Sequence, residues 1–172
     1  WGHNFRPDYL KLTLLARDLK IPRVLALTAT ATPRVAAQIR ERFQIAEEDH
    51  TQTAFARPNL IFRVHPVSEA ERGRKLLELV ESRESRASTV VYVTLQQTAE
   101  RVAGMLSQAG ANARAYHAGM RDDHRAEVQD GFMDGSIEVV VATIAFGMGI
   151  DKANIRHVFH YNLPKSLENY VQ

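Results

Sequence analysis

Residues 137–143 read Ile137-Glu138-Val139-Val140-Val141-Ala142-Thr143, and this stretch decides the fold class. Consecutive β-branched apolar residues at its centre are typical of a strand buried on both faces, as the central strands of parallel sheets are. A second run of the same kind is Val90-Val91-Tyr92-Val93. The two runs predict an α/β fold, a parallel sheet with helices on both faces.

The segments around these runs alternate in the same way. We predict strands near residues 60–64, 89–93, 113–116, 137–143 and 156–161, and helices at 69–81, 96–108 and 121–132. Nearer the N-terminus we predict a helix at 7–20, a strand at 24–27 and a helix that Thr32 caps and that runs from Pro33 to Phe43. Residues 47–59 are polar and read as a connector between two bodies.

Composition excludes several classes of protein. The chain has 172 residues, of which 45% are hydrophobic and 24% charged, as in an ordinary soluble globular protein. It has no Cys, so disulfides, thiolate zinc sites and cysteine nucleophiles are excluded. Since no apolar run approaches the roughly 20 residues that cross a bilayer, we expect no membrane partner.

Charge is unevenly distributed along the chain. The formal net charge is +2, but residues 1–44 carry +5 and residues 45–172 carry −3. A polyanion would bind the N-terminal part more favourably, because neutralised phosphates release counterions. A solvated basic helix face explains the same asymmetry equally well.

Polar residues follow three of the predicted strands. Thr94 and His117 directly follow two of them, and Thr143 lies at the end of a third. In open parallel sheets ligands bind beyond the carboxyl ends of the strands, so these residues are candidates for a binding site.

Three further groups are candidates on local chemistry. Gly147 and Gly149 allow a tight turn near a phosphate, and Asp151 has a carboxylate for a ribose hydroxyl; a loop that only turns the chain is the alternative. Trp1, Phe5 and Arg6 suit base stacking and phosphate contact; the alternative is that Trp1 and Phe5 are core residues of a missing part of the protein. Thr28-Ala29-Thr30 reads as an anion contact or as a group of N-cap residues.

Hydrolytic motifs do not occur in these residues. The sequence contains no Gly-x-x-x-x-Gly-Lys-Ser/Thr phosphate loop and no Gly-x-Ser-x-Gly nucleophile elbow. We therefore predict no catalytic residue and no metal ligand within this chain.

Several segments resemble RecQ-type DNA helicases of superfamily 2, in the family's order. Trp1-Gly2-His3-Asn4-Phe5-Arg6-Pro7 resembles the aromatic-rich loop, and Leu25-Ala26-Leu27-Thr28-Ala29-Thr30-Ala31-Thr32 resembles motif III. Phe55-Ala56-Arg57-Pro58-Asn59-Leu60 is similar to the crossing between the two RecA-like lobes. Tyr116-His117-Ala118-Gly119 and the stretch from Val141 to Lys152 are similar to motifs IVa and V. One departure is Val93-Thr94-Leu95-Gln96, where the family commonly has Cys and then Ser-Arg.

The resemblance implies roles for the candidates. Trp1, Phe5 and Arg6 would sense DNA, and Thr28 and Thr30 would couple the nucleotide and DNA sites. Thr94, His117 and Thr143 would bind the DNA backbone. Gly149 and Asp151 would face ATP. ATP hydrolysis would open and close a cleft between the lobes and move single-stranded DNA.

The resemblance also implies an internal piece of a longer helicase. Residues 1–57 would be the end of the first lobe, and residues 58–172 most of the second, RecA-like helicase C-terminal lobe. The Walker A and B motifs would precede Trp1, motif VI with its arginine finger would follow Gln172, and the Mg²⁺ ligands would lie outside the chain. We expect the isolated chain to be inactive.

The resemblance further implies where the protein works. The partner would be DNA, single-stranded and at duplex junctions, in repair or recombination, in the cytoplasm or nucleoid of a bacterium or the nucleus of a eukaryote. A non-catalytic nucleic-acid-binding module and a piece of a superfamily 2 RNA helicase are the alternatives; the aromatic-rich loop and the Ala-Phe-Gly-Met-Gly-Ile-Asp string favour RecQ over the latter.

Overall fold

The computed structural model describes residues 11–28, 31–53, 58–143, 146, 150–164 and 170. The chain divides into two compact units, Trp1–Phe62 with Leu167–Gln172, and Arg63–Ser166. This division falls a few residues after the domain boundary predicted at residue 57, and the assignment of the units to two helicase lobes stays a prediction.

The first unit is built from two helices in its described part. Helix α1 covers Leu12–Asp18, within the predicted 7–20, whose beginning lies outside the described residues. Helix α2 covers Pro33–Phe43, as predicted: the Thr32 hydroxyl accepts a hydrogen bond from the Val35 amide at 3.3 Å, and proline opens the helix. Glu47–Asp49 form one 3-10 turn.

The predicted strand at 24–27 is wrong. These residues pair with no strand among the described residues, and the Leu25 and Leu27 side chains are 81% and 83% exposed. A β-strand requires hydrogen bonds to a neighbouring strand, so an apolar run that has no such neighbour does not form a strand.

The predicted strand at 60–64 is wrong for the same reason. Residues 60–64 form no ladder with any other part of the chain that the structure describes, and Ile61 and Val64 are 80% and 87% exposed. An apolar run does not form a strand unless another strand lies beside it.

The second unit alternates strands and helices. Its elements are α3 (Arg72–Glu81), β1 (Ser88–Tyr92), α4 (Gln96–Gln108), β2 (Ala113–Tyr116), α5 (Asp122–Asp134), β3 (Val139–Ala142) and β4 (Ile155–His160). Each lies within three residues of its predicted bounds, and α4 and β2 coincide with theirs.

The four strands form one parallel sheet in the order β2-β3-β1-β4. The two valine-rich runs are its central strands: Val141 of β3 pairs with Val91 of β1 on one side and with Ala115 of β2 on the other. The predicted parallel α/β sheet is confirmed.

Helices cover both faces of this sheet, because alternate strand residues point in opposite directions. Val91, Val139 and Val141 pack with side chains of α3 and α4, including Leu76 and Leu106. On the other face, Val90, Val140 and Ala142 pack with Val128 and Phe132 of α5. Packing from both sides fixes the register, and with it the positions of the strand ends.

Candidate nucleic-acid and nucleotide interface

The carboxyl ends of the four strands meet at one edge of the sheet. Thr94 follows β1, His117 follows β2 and Thr143 follows β3. The ladder continues to this edge, since the Val93 amide donates to the Ala142 carbonyl at 2.9 Å and the Thr143 amide to the Tyr116 carbonyl at 3.3 Å. The structure therefore brings the three predicted DNA-contact residues to the same edge.

Thr94 is exposed and is held through its backbone. Its amide donates to the side-chain oxygen of Asn162 at 3.1 Å, which ties the end of β1 to the chain just after β4. Sequence reasoning missed Asn162, although the rule that selected Thr94 applies equally to it: Asn162 follows the fourth strand. Thr94 thus reaches solvent from a fixed backbone.

His117 lies deeper than the other two, with only 7% of its surface exposed. The Gly119 amide donates to Nδ1 at 3.2 Å, so Nδ1 carries the lone pair. Nε2 then carries the proton and donates to the Glu100 carboxylate at 2.9 Å. Both ring nitrogens are engaged, and a phosphate reaches Nε2 only if Glu100 moves away.

Glu100 is a second residue that sequence reasoning missed. It lies on α4, and its side chain is 61% exposed although one carboxylate oxygen meets the buried imidazole. The amino end of α4 packs closely here, because a Cβ added at Gly119 would collide with the Gln96 side chain. A side chain at position 119 would therefore require Gln96 to move.

The segment after β3 is anchored by Phe146. The Phe146 ring is 2% exposed and packs edge-on against Tyr116 and Phe132, with centroids 4.7 Å and 5.5 Å away. The Phe146 amide donates to the Thr143 carbonyl at 3.1 Å. This hydrogen bond links Phe146 to the end of β3.

Asp151 is exposed and available to a ligand, whereas the ammonium group of the neighbouring Lys152 is engaged in a hydrogen bond. The Lys152 ammonium donates to the Met133 carbonyl at 3.0 Å, near the end of α5, where a cation complements the helix dipole. Gly149, the other predicted nucleotide contact, lies outside the described residues.

Two ring side chains at the end of the central and edge strands have shifted pKa values. Tyr92 and His160 pair in register, and their ring centroids are 5.4 Å apart. Burial raises the pKa of the Tyr92 hydroxyl and lowers the pKa of His160, because both charged forms would lose hydration. Both groups are therefore favoured in their neutral forms.

The predicted sites of the first unit are less defined. Thr28 is exposed, directly after the unpaired segment at 24–27. Trp1, Phe5, Arg6 and Thr30 lie outside the described residues.

Neither a metal cluster nor a membrane span is found in the described part of the chain. No three His, Cys, Asp or Glu side chains come together there as they would to hold a metal ion without a bound nucleotide. Among the described helices, none has both the length and the apolar character needed to cross a bilayer.

Comparison with known proteins places the chain in a family. A family model described as the helicase conserved C-terminal domain matches residues 71–172. The chain is 42% identical over 173 residues to the ATP-dependent DNA helicase RecQ of Bacillus subtilis, and 41% identical over 177 residues to the RecQ-like DNA helicase blm-1 of Caenorhabditis elegans. Both matches cover all of this chain, which spans 29% and 18% of those proteins.

A solved structure agrees with the architecture. The C-terminal domain of the DEAD-box protein Dbp5 is similar with a TM-score of 0.52 at 25% identity, over 60% of each chain. Sequence and fold therefore lead to the same conclusion. The chain belongs to the helicase conserved C-terminal domain family, and it is similar over its whole length to RecQ-type DNA helicases.

Proposed function

We propose that the chain is part of an ATP-dependent DNA helicase that translocates on single-stranded DNA and unwinds duplexes. The observation that carries this proposal is the common edge formed by Thr94, His117 and Thr143, in a chain related over its whole length to DNA helicases. An edge of hydroxyls and amides suits phosphate contacts, which position a strand without reading its sequence.

Each residue has a role in this proposal. Thr94 and Thr143 contact the DNA backbone from fixed strand ends, and His117 joins them when Glu100 turns away. Asp151 accepts from the nucleotide ribose, and Gly149 lets the chain approach a phosphate. Trp1, Phe5 and Arg6 sense DNA, and Thr28 and Thr30 couple the two sites.

ATP hydrolysis needs groups that these 172 residues do not contain. The sequence has no phosphate-binding loop, and the described residues contain no cluster of three His, Cys, Asp or Glu side chains that could hold a metal ion. In the proposal, ATP and Mg²⁺ are therefore held jointly with other parts of a full-length protein, and the 172-residue chain alone hydrolyses no ATP.

The test measures ATP hydrolysis and duplex unwinding by the full-length protein with single-stranded DNA, RNA or no nucleic acid, and by the 172-residue chain under the same conditions. The proposal predicts DNA-stimulated hydrolysis and unwinding in the full-length protein only. Stimulation by RNA alone would favour an RNA helicase. Binding without hydrolysis would favour a non-catalytic module.

A further inference from the structure

Tyr92 joins the central strand to the segment that follows β3. It is the last residue of β1, and its hydroxyl donates a hydrogen bond to the Phe146 carbonyl at 2.9 Å, across 54 positions of sequence. A tyrosine side chain at the end of one strand thus holds the backbone beyond its neighbour.

The held residue is already fixed on its other side. The Phe146 ring is buried against Tyr116 and Phe132, so the ring anchors one side of the residue while Tyr92 anchors its carbonyl. An aromatic cluster without the hydroxyl would restrain the ring, but it would leave the peptide group free to rotate. The hydrogen bond removes that freedom.

Phe146 lies between the two ligand-facing ends of the segment. Three residues before it, the Thr143 amide donates a hydrogen bond to the Tyr116 carbonyl. Six residues after it, the Lys152 ammonium donates one to the Met133 carbonyl. The proposed DNA contact Thr143 and the proposed nucleotide contact Asp151 therefore lie on the same segment, on either side of the point that Tyr92 holds.

Burial keeps the Tyr92 hydroxyl protonated, so that it can donate a hydrogen bond. The Tyr92 side chain is only partly accessible, and burial raises the pKa of its hydroxyl, so it stays protonated over the physiological range. A partly buried carbonyl that loses its donor is left with its desolvation cost, which destabilises the observed position of Phe146.

We propose that Tyr92 is a positioning residue: by holding the Phe146 carbonyl it keeps Phe146 in the place that DNA contact at Thr143 and nucleotide contact at Asp151 both need. The effect on Phe146 follows from the Tyr92–Phe146 hydrogen bond alone. The effect on ATP and DNA binding rests in addition on the proposed function.

The experiment compares Tyr92→Phe with Tyr161→Phe in the full-length protein. Tyr161 is a matched control: it is 9% exposed, packs on the opposite face of the sheet, and its hydroxyl accepts from Arg101 at 3.5 Å, away from Phe146. Each variant removes one hydroxyl and keeps the ring.

The first readout is amide hydrogen exchange of the peptide covering residues 143–152. We expect about fivefold faster exchange in Tyr92→Phe, as the loss of about 1 kcal/mol from one hydrogen bond predicts, and no change in Tyr161→Phe.

The second readout is DNA-stimulated ATP hydrolysis. We expect Tyr92→Phe to raise both the ATP KM and the DNA concentration for half-maximal stimulation severalfold, with kcat within twofold of the parent. A merely structural defect would lower kcat by reducing the folded fraction and would leave both half-saturation values unchanged.

Unchanged exchange in Tyr92→Phe, or half-saturation values equal to those of Tyr161→Phe, overturns the inference. If the unsubstituted protein shows no DNA-stimulated hydrolysis, the proposed function fails instead. The hydrogen-exchange result then still decides whether Tyr92 positions the segment.

Discussion

Two apolar stretches of this chain have opposite fates. Residues 139–142 form a central strand in which every residue is 0% exposed, whereas residues 24–27 pair with nothing among the described residues and expose Leu25 and Leu27 by more than four-fifths. Both stretches are apolar and both precede a threonine, yet only one becomes a strand.

The difference shows that pairing, rather than composition, makes a strand in this molecule. Val139–Ala142 has β1 on one side and β2 on the other, with helices above and below. Residues 24–27 have no such neighbours in the described part of their unit. Among the described residues, hydrophobic burial is therefore far greater in the second unit than in the first, and it contributes correspondingly more to stability there.

The same substitution in the two regions tests this contrast with the largest expected effect. Leu106→Ala removes a side chain that is 0% exposed, whereas Leu27→Ala removes one that is 83% exposed. We expect Leu106→Ala to lower the free energy of unfolding by about 2–5 kcal/mol and Leu27→Ala by less than about 0.5 kcal/mol. Urea denaturation of the 172-residue chain measures both, and comparable losses would remove the contrast.

A smaller effect distinguishes packed from open positions within the second unit. A Cβ at Gly131 of α5 would lie 2.8 Å from the Ile137 side chain, whereas a Cβ at Gly104 of α4 meets nothing within 4 Å. We expect Gly131→Ala to destabilise by about 1–3 kcal/mol and Gly104→Ala to stabilise by about 0.5–1 kcal/mol. Shifts of the same sign in thermal melts of the two variants would contradict the packing described for α5.

The smallest effect is a pH dependence at the edge strand. Because burial lowers the pKa of His160, the unfolded chain takes up a proton near pH 6.5 before the folded chain does, so stability falls as the pH drops below that value. His160→Asn should reduce the difference in melting temperature between pH 7.5 and pH 5. His124→Asn, at an exposed position of α5, is the control, and an equal reduction there would rule out His160 as the source.

The fold of the second unit could be predicted because its local patterns agree with its pairing. Helix α4 and strand β2 were predicted at their observed bounds, and the valine runs marked the two central strands. The strands predicted at 24–27 and 60–64 were wrong, since sequence pattern reports that a segment is apolar but not whether a partner lies beside it.

The candidate site could likewise be predicted only where a local sequence pattern was enough. Thr94, His117 and Thr143 were found because the carboxyl ends of parallel strands share an edge, and the same rule reaches Asn162. Glu100 and Tyr92 contact residues 17 and 54 positions away, so their roles depend on three-dimensional packing that no local pattern carries.

The most direct test of the central claim is the affinity of the full-length protein for single-stranded DNA, measured by fluorescence anisotropy at fixed salt. The double variant Thr94→Ala/Thr143→Ala removes two hydroxyls from the carboxyl edge. Ser85→Ala removes an exposed one from the loop before β1, at the opposite edge. If the carboxyl edge binds DNA, the double variant should bind about tenfold or more weakly and Ser85→Ala should match the parent. Affinity of the double variant within twofold of the parent would contradict the claim.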